Sequence, residues 1–367
     1  MNQTNLQDFK EKLKRVRAYM TDKNYDGMVI GRRDNFAWIT FGGDNKVFRC
    51  SQEGASLLLI TDDKVYLCGY TMDADRVMDE ELEGLDIVKM EVKWFECSPA
   101  QKIAAFMDGK RIISDIHYEG WTENNKDIIY MQTPYTLYEK KRYKEVGAAI
   151  DRLFAAVADQ IKPGMTEQEI AAIAAGLFEK EKMTVKVLLV GSDERIAKYR
   201  HPIPSDKKVE KVVLLHVASD KFGMHGNITR MICFGEVPKQ LEQDYDLLNR
   251  CMASTFSMLK PGMRYRPILE KRIEILKQEN KEFEMELHFP GAFTGYNIGD
   301  SEPVIENETI REDMCFDWFM TVTGAKVEEL AMTAEGGAEV LSVAGYWPTK
   351  VYKAGCYACE LPVILVK

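Results

Sequence analysis

Apolar residues recur at helical spacing near the start of the chain. Phe9, Leu13, Val16, Tyr19 and Met20 predict an amphipathic helix over about residues 6–23. Short apolar runs follow at 27–30, 55–60, 65–68, 85–90 and 111–114, each bounded by Asp, Gly or Lys turns. Helical patterns at 72–82 and 99–107 separate them. Strands alternating with helices predict an α/β layer domain over residues 1–135, with Trp38 in its core.

Residues 132–143 are polar and lysine-rich, and read as the join to a second domain over 136–367. A long helix there runs to Ile161 and stops at Lys162-Pro163-Gly164-Met165. Thr166 and Glu169 restart the chain as a capping box. The device recurs. Residues 249–263 align without gaps on 151–165, both ending Lys-Pro-Gly-Met, and each segment leads into another helix. That pattern predicts an internal structural repeat.

Between the two copies lies the stretch on which the chemistry concentrates, residues 200–235. A proline-rich turn, Arg200-His201-Pro202-Ile203-Pro204, precedes a buried strand at 212–217, a glycine-punctuated turn at 219–226 and a second strand at 228–234. Three of the five histidines, His201, His216 and His225, lie here. Taken singly, His216 reads as a satisfied core histidine and His225 as an exposed turn residue. Taken together, they make the polar face of a hairpin suited to catalysis.

Composition narrows the possibilities. The 367 residues are 46% apolar and 29% charged, an ordinary globular balance, and the net charge of −9 argues against a nucleic-acid partner. No segment nears the roughly 20 apolar residues of a membrane span. The polar N-terminal segment and eight scattered cysteines point to a reduced, cytoplasmic protein. Cys356 and Cys359 form a lone C-x-x-C, half of a zinc site at most. The chain has no G-x-S-x-G elbow or phosphate-binding glycine loop.

His201-Pro202, Gly223 and Thr229-Arg230 resemble the hairpin motif of the creatinase, aminopeptidase P and prolidase family. The resemblance implies an α+β pita-bread domain at 136–367 behind a smaller, creatinase-like α/β domain at 1–135, and a homodimer. It also implies five metal-ligand positions in the metallopeptidase members, where a pair of divalent ions is bound. Here those positions hold His216, Asn227, Tyr296, Phe319 and Glu328, so four of the five have changed. Tyr296 lies in Thr294-Gly295-Tyr296-Asn297-Ile298-Gly299, followed by Ser301-Glu302-Pro303 where the family often has His-Glu-x-Pro. Glu328 survives in Lys326-Val327-Glu328-Glu329.

Two divalent ions need several carboxylates to neutralise them, and these positions supply one. The expectation is therefore no metal cofactor. The alternative is a single divalent ion on His216, Asp317 and Glu328, since Asp317 is two residues before Phe319 on one strand face.

By resemblance to creatinase, a metal-free member, His201 is the expected proton shuttle. Glu328 orients it or binds a cationic nitrogen, Arg230 grips a carboxylate, and Tyr296 donates to an oxyanion. These four are the expected catalytic residues; His216, Asn227, Phe319, Lys326 and Asp317 are expected to line the substrate. The leading expectation is a metal-independent hydrolase of C–N or related bonds in a small, carboxylate-bearing or dipeptide-like substrate. Two alternatives stand beside it: an inactive binding protein, and an Xaa-Pro peptidase with rearranged metal ligands.

Overall fold

A computed structural model of the chain describes residues 3–297 and 309–367. It divides into two compact units, Met1–Tyr138 and Glu139–Lys367.

In the first unit, helix α1 (Gln3–Lys23) buries the predicted stripe of Phe9, Leu13, Val16 and Met20. Next come β1 (Gly27–Arg32), α2 (Arg33–Ile39), β2 (Glu53–Ile60), β3 (Val65–Tyr70), α3 (Thr71–Arg76) and β4 (Val88–Val92). Helix α4 (Pro99–Phe106), β5 (Ile112–Ser114), β6 (Thr122–Glu123) and α5 (Asn125–Met131) complete it. The six strands form one mixed sheet in the order β4-β3-β2-β1-β5-β6. Trp38 is fully buried in α2, as expected. Helix α4 begins at a capping box between Ser98 and Gln101, with Pro99 in its first turn.

Two elements differ from expectation. The helix predicted at 72–82 is α3 continued by a π-helical turn, Val77–Glu81. The strand predicted at 85–90 starts three residues late, because Leu85 and Ile87 turn back on Leu82 and Leu85.

The second unit opens with α6 (Leu137–Gln160) and α7 (Glu167–Lys180), the latter capped by Thr166 and Glu169 as predicted. Strand β7 (Thr184–Ser192), α8 (Glu194–Lys198), β8 (Val212–Lys221), β9 (Met224–Cys233), α9 (Lys239–Met258), α10 (Tyr265–Gln278) and α11 (Glu284–Leu287) follow. Next come β10 (Ala292–Thr294), β11 (Cys315–Val322) and β12 (Ala325–Met332).

The repeat is present down to single hydrogen bonds. Gly164 and Gly262 share a φ of 87°, a left-handed turn that favours glycine. The Gly164 amide donates to Val209 O at 2.8 Å, and the Gly262 amide to Ile310 O at 2.8 Å. Met165 O and Met263 O accept from Val209 and Ile310 in return. Both helix pairs are thus pinned in the same way to the segment that precedes a strand.

The main sheet runs β10-β11-β12-β9-β8-β7, with short strands Glu339–Val340 on β12 and Leu365–Val366 on β9. Leu248, Met252 and Phe256 of α9 pack in one cluster with Phe316, Trp318, Met320 and Val327. Because side chains alternate across a strand, Asp317, Phe319 and Glu328 are left for the opposite face.

The central hairpin is longer than its apolar runs suggested. Pairing continues through Ser219 with Gly226, Asp220 with His225 and Lys221 with Met224. Only Phe222 and Gly223 remain to turn the chain, with φ of 59° and 74°. That is the positive-φ pair a two-residue hairpin loop requires. His225 is therefore a buried strand residue rather than an exposed turn residue.

Candidate active site

Strand register assembles the centre. His216 on β8 lies opposite Thr229 on β9; Thr229 lies opposite Glu328 on β12, and Glu328 opposite Phe319 on β11. Four residues from four strands thus form one row across the sheet. Glu328 Oε2 collects three donors: Lys326 Nζ and His216 Nδ1, each at 2.9 Å, and Thr229 Oγ1 at 2.7 Å. Lys326 Nζ also lies 4.9 Å from the centroid of the Phe319 ring.

Burial opposes charge on Glu328, but the attractions of His216 and Lys326 outweigh it and hold the carboxyl well below the ordinary range. Burial lowers His216, with Lys326 reinforcing the shift and Glu328 opposing it. The pair is consequently carboxylate and neutral imidazole. Nδ1–H donates to Glu328, and Nε2 is left as the basic nitrogen.

A pair of imidazoles sits at the end of this row, where His288 meets Phe319. His201 Nε2 and His288 Nε2 are 3.2 Å apart. His288 stacks edge-on against Phe319 at 4.8 Å and tilts against Phe289 at 5.0 Å. Burial lowers His288 to about 4, despite the hydrogen bond to Phe289 O. His288 Nδ1–H donates to that oxygen at 2.8 Å. A neutral ring with its proton on Nδ1 accepts at Nε2, so His201 must donate through Nε2–H. Its Nδ1 keeps the lone pair. Burial and the charge of Lys326 lower His201 as well, with Glu328 opposing.

The structure redistributes several expected roles. Glu328 is the partner of His216, not of His201, because register puts β8 and β12 on either side of Thr229. Arg230 does not face the centre: it is 0% exposed and points through the opposite side of the sheet from Thr229. There it holds Glu329 bidentately, at 2.6 and 3.1 Å, and donates to Ser342 O at 3.0 Å. The Arg230 guanidinium is therefore not available to a substrate carboxylate. Burial pushes the Glu329 carboxyl up to about 7, with Arg230 and Ser342 opposing.

Tyr296 is also 0% exposed, and its hydroxyl donates to Glu139 Oε1 at 2.9 Å rather than to an oxyanion position. Asp317 accepts from Asn227 Nδ2 and does not join His216 and Glu328. Among the described residues no three His, Cys, Asp or Glu side chains converge as ligands of a metal ion, the proposed trio included. Ser301-Glu302-Pro303 and Ile298-Gly299 lie outside the described residues.

Sequence reasoning missed His288 and Phe289. Their signal was the following Pro290-Gly291: a Cβ on Gly291 would sit 2.2 Å from Asp317 O, so glycine lets this loop lie against β11. That close approach carries His288 and Phe289 over Phe319.

The metallopeptidase family M24 description matches residues 141–337, more than half of the chain. A probable dipeptidase PepE of Mycobacterium tuberculosis (strain ATCC 25618 / H37Rv) is 25% identical over 206 residues, 53% of this chain and 54% of that protein. The chain thus spans about half the length of the curated relatives it matches. The X-Pro aminopeptidase of Thermotoga maritima MSB8 superposes with a TM-score of 0.74 at 18% identity, covering 97% of this chain and 99% of the other. The Xaa-Pro dipeptidase of Bacillus anthracis gives a TM-score of 0.74 at 16% identity, covering 98% and 100%. These likenesses, spanning nearly the whole chain, establish the two-domain pita-bread fold expected from the hairpin and the repeat. With the match over residues 141–337, the chain belongs to metallopeptidase family M24.

Proposed function

We propose that this chain is a metal-independent hydrolase of C–N bonds in small, carboxylate-bearing substrates, with His201 as the proton carrier. One observation carries the reading: the Lys326 ammonium stands 2.9 Å from Glu328, the surviving carboxylate of the five family ligand positions. A fixed monovalent charge takes the place a divalent ion would need. The other positions do not suit a pair of such ions. Asn227 and Phe319 bring no charge, and the Tyr296 hydroxyl is committed to Glu139. The residues therefore do not fit the dinuclear centre implied by the family, and no step is routed through one.

In the reaction, water attacks the carbonyl carbon of the scissile C–N bond. His201 takes the proton of that water at Nδ1 and returns it to the leaving nitrogen, so one C–O bond forms as the C–N bond breaks. Lys326, with N–H groups beyond the one directed at Glu328, stabilises the developing oxyanion. The relatives named as dipeptidases direct the search toward short peptides.

The test is His201→Ala. Turnover of a short-peptide or amide substrate should vanish while circular dichroism shows the protein still folded, since what His201 loses is one hydrogen bond to His288. Unchanged turnover would remove His201 from the chemistry.

A further inference from the structure

His201 and His288 come from segments far apart in the chain and meet Nε2 to Nε2 at 3.2 Å. A single hydrogen bond between neutral rings contributes modestly, because water competes for both of them. The geometry of the pair therefore depends on what holds the two segments.

After His201, the turn is fixed to the framework around β7. Val190 N donates to Pro202 O at 3.2 Å, Arg195 Nη2 to Ile203 O at 3.0 Å, and Ser205 Oγ to the buried Glu167 at 2.7 Å. Before His201, the adjacent Arg200 crosses to the His288 segment. Its Nη2 donates to Glu284 Oε2 and, at 3.1 Å, to Thr323 Oγ1. Glu284 is 2% exposed, and its other oxygen, Oε1, accepts from Thr323 N at 2.9 Å. Glu284 opens α11, and His288 closes it. Thr323 lies in the turn between β11 and β12, the strands that carry Phe319 and Lys326. One ion pair thus joins the three segments that bring His201, His288 and the sheet together.

We infer that the Arg200–Glu284 ion pair positions His201 against His288, and so sets the orientation of the imidazole that carries the proton. The inference rests on the hydrolase reading, in which His201 is that carrier, and adds two positioning residues to it. Both act through the imidazoles; neither takes part in the proton transfer.

The pair suits this task. A carboxylate that uses one oxygen for a guanidinium and the other for a main-chain amide is fixed in orientation, and its charge-assisted bonds are strong. Arg200 precedes His201 directly, and Glu284 precedes His288 by about one helical turn, so little chain lies between each charge and the ring it sets. A reacting group displaced by about 1 Å can lose on the order of a hundredfold in rate.

Arg200→Met and Glu284→Gln test this in the whole protein. Methionine removes the charge; glutamine keeps the shape but has one acceptor oxygen where the carboxylate uses two. The first measurement is the NMR titration of the histidines. His288, lowered to about 4 by burial, should titrate higher in both variants, toward ~6.5, as its loop loosens. The two substitutions change the local charge in opposite senses, so a rise in both reports lost burial and not an altered field. The second measurement is turnover of alanylalanine. In each variant kcat should fall at least about tenfold with KM nearly unchanged, and Arg200→Lys should recover part of the loss. In a His288→Asn background, Arg200→Met should cost little more, because the contact it sets is already gone. A merely structural pair would lower Tm and leave the titration and kcat of the folded protein at wild-type values. That result would overturn the inference, as would fully additive losses in the double variant. A wild-type protein without turnover would sink the hydrolase reading, while the titration would still decide whether the ion pair holds the imidazoles.

Discussion

Lys326 Nζ and Glu328 Oε2 lie 2.9 Å apart on one face of β12, both almost wholly buried. Residues two apart on a strand project to the same side, so the sequence Lys-Val-Glu builds this pair from local geometry alone. Its effect is to supply the buried carboxylate with a permanent counter-charge.

Lys326→Met keeps the side chain's bulk and removes its charge. Glu328 is then buried with neutral donors only, and breaking such a pair costs about 3–5 kcal/mol. Urea denaturation should show a loss of that size, and the Glu328 carboxyl should titrate higher. A variant as stable as the wild type would mean that Thr229 and His216 suffice.

Arg230 gives the contrasting case. Its guanidinium holds Glu329 and Ser342 behind the sheet. Arg230→Ala should destabilise by about 3–5 kcal/mol, and Arg230→Lys should also destabilise by losing the bidentate fork. Any folded Arg230→Lys protein should keep the wild-type KM. A KM rise with unchanged stability would return this residue to substrate binding.

The histidines set an acid limit. The folded His288 value of about 4 lies below the ordinary ~6.5 of an unfolded chain, so the unfolded state binds its proton first as pH falls. The contribution is complete above about pH 6.5 and is lost on going down to about 4. His201, His216 and Glu328, all lowered, share that sign; Glu329, raised to about 7, opposes it. Comparing the wild type with His288→Asn isolates one group. The wild type's stability advantage should shrink from pH 6.5 to 4, and NMR should place the ring's titration near 4. A midpoint near 6.5 would contradict the neutral His288 that fixes the His201 tautomer.

The fold was legible because its signals are local and repeated. Lys-Pro-Gly-Met after each long helix, the capping box at Thr166 and the Thr229-Arg230 hairpin each dictate backbone geometry directly. The site was legible in part. Position along the motifs named His216, Asn227, Phe319, Lys326 and Glu328, which the register places on one face of the sheet, yet it did not reveal which face of a strand each neighbour takes. Arg230 is the case in point: Thr229 occupies the site face, so the next residue on that strand must turn behind it, as Glu329 does after Glu328. Tyr296 was misread because its partner, Glu139, is 157 positions away in the chain. His288 was missed for a similar reason, since a loop delivers it and only the close approach of Gly291 to β11 fixes that loop.

Elemental mass spectrometry of protein purified without chelator, followed by incubation with manganese, zinc or cobalt and desalting, tests the absence of a catalytic metal most directly. Lys326 beside Glu328 predicts far less than one transition-metal ion per chain, before and after incubation, with turnover indifferent to chelator. One or more ions bound per chain, with activity lost on chelation, would contradict it and point to a rearranged metallopeptidase site.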